Sequence, residues 1–315
     1  ILARYGLTAF LGTVLVCESV VAIPESQVQI AQQGSIDNRE PILRQVSKLI
    51  NEGRQLSKQG TAESLKQAIT KWQQALESLQ QIDQLKEAQV VLLYSIGSNY
   101  SKLGEKQQAL KFCNQALDLA REIDDKFGEA SILNNIAAIY EDLGDKQQAL
   151  KFYKQALPLS REFKDKGGEA TILNNIGGIH NHLGDKQQAL KFYKQALIII
   201  QKIDEDKRWE AGSLNNIGHV YDSLGKKQRA LEFYNQSLSI SKKIEDKSGQ
   251  AITLNNIAAV RSSSGDKQQA LNFYNQALSL LREVGDKSGQ AKALHNIAVV
   301  YLYYGNFQAA ITNSN

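Results

Sequence analysis

Leu133 to Leu157 reads LNNIAAIYEDLGDKQQALKFYKQAL, and this stretch recurs with small changes down most of the chain. Its Ile136 has counterparts at Ile96, Ile176, Ile217, Ile257 and Ile297, spaced by 40, 40, 41, 40 and 40 residues. A fixed period of this size marks a solenoid, in which each unit buries its apolar face against its neighbours.

Leu133, Ile136, Ala137 and Tyr140 follow the i, i+3, i+4, i+7 spacing of an amphipathic helix. Gly144-Asp145 breaks the pattern: glycine suits a helix end, and aspartate caps the next helix by accepting from its first free amides. Gln148, three residues after Asp145, has the spacing of a capping box. Ala149, Tyr153, Ala156 and Leu157 then share one side of a second helix. The small alanines let the helices approach closely, and Tyr140 and Tyr153 are expected to fill the space between units. Each repeat therefore reads as a helical hairpin, and the chain as all-α.

Leu-x-x-Ile-Ala/Gly-x-x-Tyr, then Gly, then Ala-x-x-x-Tyr-x-x-Ala resembles the tetratricopeptide (TPR) pattern, whose basic period is about 34 residues. The additional six or so are expected in an extended second helix and its exit. The paired asparagines and the run Asp165-Lys166-Gly167-Gly168-Glu169-Ala170 are similar to kinesin-light-chain and Pins/LGN-type arrays. The resemblance covers 86–315 and implies a right-handed superhelical solenoid of antiparallel helix pairs, with the first helices lining a concave groove. Departures are few. His180 and Arg261 replace the first-helix tyrosine, Cys113 replaces the second-helix one, and Trp209 stands where other units have glycine. Pro158 removes a backbone donor inside a second helix and is expected to kink it.

The 315 residues carry 37 Lys+Arg against 33 Asp+Glu, a net charge of +4. Interspersed charges of this balance give no drive toward nucleic acid, so no nucleic-acid partner is expected. Residues 1–22 begin with Arg4, continue with an apolar run from Leu7 to Cys17 and end in Val20-Val21-Ala22. This resembles a truncated signal peptide and is too short for a membrane span, so no stable membrane insertion is expected after cleavage. Export to the periplasm or exterior follows if the leader is real, and a cytoplasmic location otherwise. Residues 23–40 read as a linker. Residues 41–85 read as a degenerate N-terminal capping repeat, with a more polar first helix and a longer turn at Gly60-Thr61. The array of 86–315 stops inside its last second helix, so the sequence reads as a fragment at both ends.

On a helical wheel the side opposite Ile136 carries one asparagine per repeat: Asn135, Asn175, Asn216, Asn256 and Asn296. The same register places Lys102, Asp142, His182, His219 and Tyr303 on the groove. Asparagine is a mediocre helix former, and its amide both donates and accepts, so a row of them suits the backbone of an extended peptide. The resemblance points the same way, since related arrays carry such ladders. The alternative is that these asparagines bond to neighbouring helices, or that duplication copied them. Asn134, Asn174, Asn215 and Asn255 sit about 100° round the helix and are assigned to bridging repeats.

His180 and His182 point about 200° apart and cannot share one ion. His182 and His219 face each other across repeats with Asp142 further along, but no compact ligand cluster follows, and no metal or cofactor is expected. Cys113 reads as a small buried hydrophobe. No phosphate-binding loop, nucleophile elbow or zinc-protease pair is present, so the chain reads as a non-catalytic scaffold for a protein or peptide partner. Bacterial arrays with this repeat also precede caspase-like CHAT peptidase domains. The resemblance therefore carries a second reading: a substrate-recognition arm whose catalytic domain lies beyond Asn315.

The leader-like residues generate a direct expectation. Expressed with its natural start, the mature protein begins near Ile23. N-terminal sequencing that finds an uncleaved chain overturns it.

Overall fold

The computed structural model describes residues 40–80, 85–203 and 207–303. The leader at 1–22, the linker up to 39 and the close of the array from 304 onward lie outside the described residues. The described residues form thirteen α-helices and no strand.

They divide between two compact units, one through Phe163 and one from Lys164. The first holds α1 (Glu40–Gln59), α2 (Ala62–Gln80), α3 (Lys86–Lys102), α4 (Lys106–Glu122), α5 (Lys126–Asp142) and α6 (Lys146–Glu162). The second holds α7 (Lys166–His182), α8 (Lys186–Ile203), α9 (Lys207–Ser223), α10 (Lys227–Lys243), α11 (Lys247–Ser263), α12 (Lys267–Glu283) and α13 (Lys287–Tyr303). Within each unit, consecutive helices pack in pairs and each pair packs on the next. This is a TPR-like helical solenoid.

α5 and α6 are both 17 residues long and are joined by the three-residue turn 143–145. α8, with 18 residues, absorbs the additional residue of the 41-residue interval. Pro158 does not end its helix; α6 runs through it.

Gly144 and Gly184 close their hairpins at φ +83° and +86°, with open space around the missing β-carbon. Glycine is used here for its left-handed backbone, not for room. Asp145 accepts from the Gln148 amide at 3.0 Å. The return half of the capping box is precluded because the Asp145 amide donates to Tyr140 O at 2.9 Å. The first helices α5, α7, α11 and α13 are capped alike by Asp125, Asp165, Asp246 and Asp286: Asp165 accepts from the Gly168 amide at 2.9 Å, and its other carboxylate oxygen lies 2.2 Å from where a β-carbon would sit. The Asp-Lys-x-Gly-Glu/Gln-Ala run is thus a joint. Its acidic or amide residue reaches the end of the preceding second helix. Arg121 donates to Glu129 at 2.7 Å in the first unit, and in the second Gln250 donates to Ser241 O at 3.2 Å.

At the hairpin crossing, Ala149, Ala156, Ala189 and Ala196 are completely buried. A β-carbon on Gly177 would lie 2.9 Å from the Tyr193 ring. Tyr140 does not fill a space between units; it stacks on Phe152 of its own hairpin, centroids 5.4 Å apart and 8° from parallel. Both rings are half-buried. His180 keeps this arrangement on Phe192 at 5.4 Å and 13°. Cys113 is fully buried, and burial pushes its thiol up to about 12. Trp209 lies 3.4 Å from the β-carbon position of Gly167 in the hairpin before it.

The turn at 60–61 is shorter than the others, not longer: two residues separate α1 from α2. Thr61 makes this possible by capping α2, its hydroxyl accepting from the Ser64 amide at 3.1 Å. Trp72 then donates to Ile50 O at 3.2 Å and covers Gly53.

Gly184 supplies a test of this backbone geometry. Gly184→Ala is expected to cost about 1–2 kcal/mol and Gly184→Asn clearly less, because asparagine tolerates the left-handed region. Urea denaturation of the two variants reads the difference.

Candidate functional site

Because successive hairpins repeat one register, their first helices come into contact with each other: α3 with α5 in the first unit, and α7 with α9, α9 with α11, and α11 with α13 in the second. Residues opposite the Ile136-type core position therefore share one face in each unit.

The two units present that face differently. In the first, Ser95, Ser98 and Asn135 are buried, Asn135 at only 3% exposure with its amide on Cys113 Sγ at 3.6 Å. Lys102 and Asp142 are exposed at its edge, and Asp142 pairs with Lys106. In the second unit Asn175, Asn216, Asn256 and Asn296 are all half-buried. Around them lie exposed Gly212, Ile252, Ala259 and Val299, with His182 and Tyr303 exposed at the helix ends. His219 is half-buried. Nothing on this face brings together three metal-ligating side chains among the described residues.

Asn175 and Asn216 make no side-chain hydrogen bond among the described residues, whereas Asn256 donates to Asn215 Oδ1 at 3.1 Å. Asn174 donates to Ser213 Oγ at 3.0 Å, again across a repeat. Two of the flanking asparagines, Asn174 and Asn215, thus bridge repeats in the second unit, and one residue of the predicted row, Asn256, is drawn into the second bridge. Ser213 was not legible beforehand as a partner.

The sequence reading also missed the charged seam beside this face. Lys186 at the start of α8 donates to Asn181 O at 2.8 Å and Asn181 Oδ1 at 2.7 Å. Asn181 in turn lies 3.3 Å from His219 Nδ1. Burial first, then the charges of Lys186 and His182, hold the His219 pKa below the ordinary histidine value. Burial also lowers Lys186. Asp222 on the same helix as His219 is pushed up by burial, partly offset by Lys227. The signal for this seam was in the repeat itself: a lysine follows the cap at Lys106, Lys146, Lys186, Lys227 and Lys267. Among the described residues, no helix is long and apolar enough to cross a membrane.

Comparison with known proteins places these features in a family. The family described as tetratricopeptide repeat matches residues 88–162, 168–243 and 249–315. No curated protein matches the chain in sequence. Among solved structures, a Rap protein complexed with competence and sporulation factor is similar over 92% of this chain and 76% of its own, with 19% identity and a TM-score of 0.66. NprR in complex with its cognate peptide NprX is similar over 92% of this chain and 81% of its own, with 19% identity and a TM-score of 0.63. A putative kinesin light chain with TPR-like repeats from Podosopora anserina covers 63% of this chain and 97% of its own, with 15% identity and a TM-score of 0.52. These likenesses show the fold.

The Asn215–Asn256 bond makes a measurable claim about stability. A double-mutant cycle with Asn215→Ala and Asn256→Ala is expected to give a coupling of about 0.5–1.5 kcal/mol in urea denaturation. Strict additivity shows that the bridge contributes nothing.

Proposed function

Since the chain belongs to the tetratricopeptide repeat family, we propose that it is a non-catalytic interaction scaffold whose second unit holds an extended peptide or partner segment on the shared face of α7, α9, α11 and α13. One observation carries this reading. Each of these four first helices places one half-exposed asparagine on that face, at Asn175, Asn216, Asn256 and Asn296, among small and apolar neighbours. An extended peptide has unpaired N–H and C=O groups along its length, and an amide side chain serves either. Asn175 and Asn216 keep both functions; Asn256, whose amide is committed to Asn215, keeps its carbonyl oxygen. Exposed Ile252 and Val299 offer apolar contact to the peptide's side chains. NprR, seen with its cognate peptide, supports the reading by fold. The leader-like sequence of residues 1–22 supports export to the periplasm or exterior, and without cleavage there the scaffold is cytoplasmic.

Asn135 in the first unit has a structural part in this scheme, because its amide faces Cys113 and is buried. That separation supplies the test. A peptide is first selected from a random display library against the wild-type protein and its affinity measured by calorimetry. Asn175→Ala and Asn216→Ala are expected to weaken binding by about 0.5–1.5 kcal/mol each while leaving the melting temperature unchanged or higher, since alanine is the better helix former. Asn135→Ala is expected to lower stability and spare affinity. Lower stability with unchanged affinity for Asn175→Ala and Asn216→Ala overturns the proposal.

A further inference from the structure

We propose that Lys186, Asn181 and His219 form a proton-sensitive lock joining α7, α8 and α9, closed while His219 is neutral and released by acid. The orientation of the chain of contacts is forced from one end. An ammonium group has only donors, so the Asn181 oxygen must face Lys186, 2.7 Å away. The Asn181 amide nitrogen then faces His219 Nδ1 at 3.3 Å and donates to it. Nδ1 can accept only if it carries no proton, so the ring is held as the neutral tautomer protonated on Nε2. A proton arriving at Nδ1 removes the acceptor, sets N–H against N–H and places a second cation beside Lys186.

Among the described residues no carboxylate acts on Lys186 or on the His219 ring. Among the described residues the contacts of Lys186 are Asn181 O and Asn181 Oδ1. In the first unit the corresponding Lys106 likewise donates to the carbonyl of Ser101, at 3.0 Å, but it is neutralised by Asp142 on the next first helix. Along the repeat, the position of Asp142 is taken by Ser223, whose hydroxyl donates to His219 O at 2.9 Å and brings no charge. Of the elements packed on α9, α7 brings His182 and α8 brings Lys186 to bear on the ring, both disfavouring its protonation. α10 carries Lys227 and Tyr234, which act on or respond to Asp222. α11 carries Arg261 in its last turn, and neither it nor any other group of α11 acts on His219.

The direction with pH follows from linkage. A histidine whose folded pKa is depressed binds fewer protons folded than unfolded. Its contribution is complete above the unfolded value, 6.5, and is lost as pH falls through that value toward the lower folded one. The α7–α9 contact is the part of the second unit that depends on this ring. Acid therefore loosens the junction between two of the helices that share the asparagine-bearing face. The lock does not require the peptide-binding reading to hold.

Imidazole-resolved NMR of the intact protein tests it without any ligand. The expected result is His219 protonated on Nε2 alone at pH 7, with a titration midpoint below 6.5. An Nδ1-protonated ring, or a midpoint at or above that of a free histidine, overturns the proposal. Asn181→Asp, which places a carboxylate between the two cations, is expected to move the midpoint above 6.5; an unmoved midpoint also overturns it. Hydrogen exchange in α9, corrected for intrinsic rates, is expected to speed up between pH 7 and 5, by at most about tenfold per pH unit for one proton. His219→Gln is expected to abolish that acceleration, because its amide cannot take up a proton. Equal acceleration in wild type and variant overturns the lock, and should His219→Gln fold poorly, the Asn181→Asp midpoint decides alone.

Discussion

At the glycine-bearing hairpin crossings the second helix lies so close to the first that its side chain occupies the space a β-carbon would need. The ring of Tyr193 is 2.9 Å from the β-carbon position of Gly177, and that of Tyr234 is 2.8 Å from that of Gly218. In the Cys113 hairpin the sulfur takes the place of the ring, 2.5 Å from the β-carbon position of Gly97. Only glycine or alanine is found at this first-helix position throughout the array, at 97, 137, 177, 218, 258 and 298. The close approach fixes which residues face each other. It therefore sets the length of the turn, the position of the left-handed glycine and the 40-residue period. The one inserted residue falls at the far end of α8, away from the crossing, where lengthening a helix disturbs the fewest contacts.

Much of this was legible because it is periodic. Ile136, Gly144, Asp145 and Ala149 each do what spacing and residue chemistry predict, since a backbone cap or a core alanine depends on neighbours only a turn away. What periodicity could not deliver was depth. A wheel treats Asn135 and Asn175 alike, yet one is buried against a thiol and the other is half-exposed. The difference arises partly from the preceding hairpin, where Cys113 stands in for the usual tyrosine and offers Asn135 a sulfur acceptor. Tyr140 was misassigned for a related reason. Its spacing matches the core face, but its ring extends past the crossing to Phe152, and an aromatic pair was not visible from either helix alone. The turn at 60–61 shortened because Thr61 caps by side chain within two residues, where the repeats need three with glycine.

The candidate site was readable as a face and unreadable as a set of bonds. Asparagine on the first helices follows from register. That Asn256 donates to Asn215 while Asn175 and Asn216 make no side-chain hydrogen bond among the described residues does not. Long-range pairs such as Asn174 with Ser213 join residues one repeat apart, and the helical wheel of a single element contains no information about them.

The recurring lysine at the start of the second helix shows how one repeated register carries different local chemistry. Lys106 meets the carboxylate of Asp142. Lys186 holds the carbonyl and side chain of Asn181. Lys227 donates to the Ser263 carbonyl, and Lys267 lies 5.4 Å over the Tyr301 ring. One side chain in one register thus has four kinds of counterpart. Exposed ion pairs contribute only about 0–1 kcal/mol, so exchanging an acid for a serine, an amide or an aromatic ring costs the array little stability. The crossing varies far less: only glycine or alanine stands at its first-helix position, and a β-carbon on Gly177 or Gly218 would meet a tyrosine ring at 2.9 or 2.8 Å. Side-chain exchange is therefore cheaper at the seam than at the crossing. The seam of the second unit is where histidine has come to stand beside a lysine without a counter-charge.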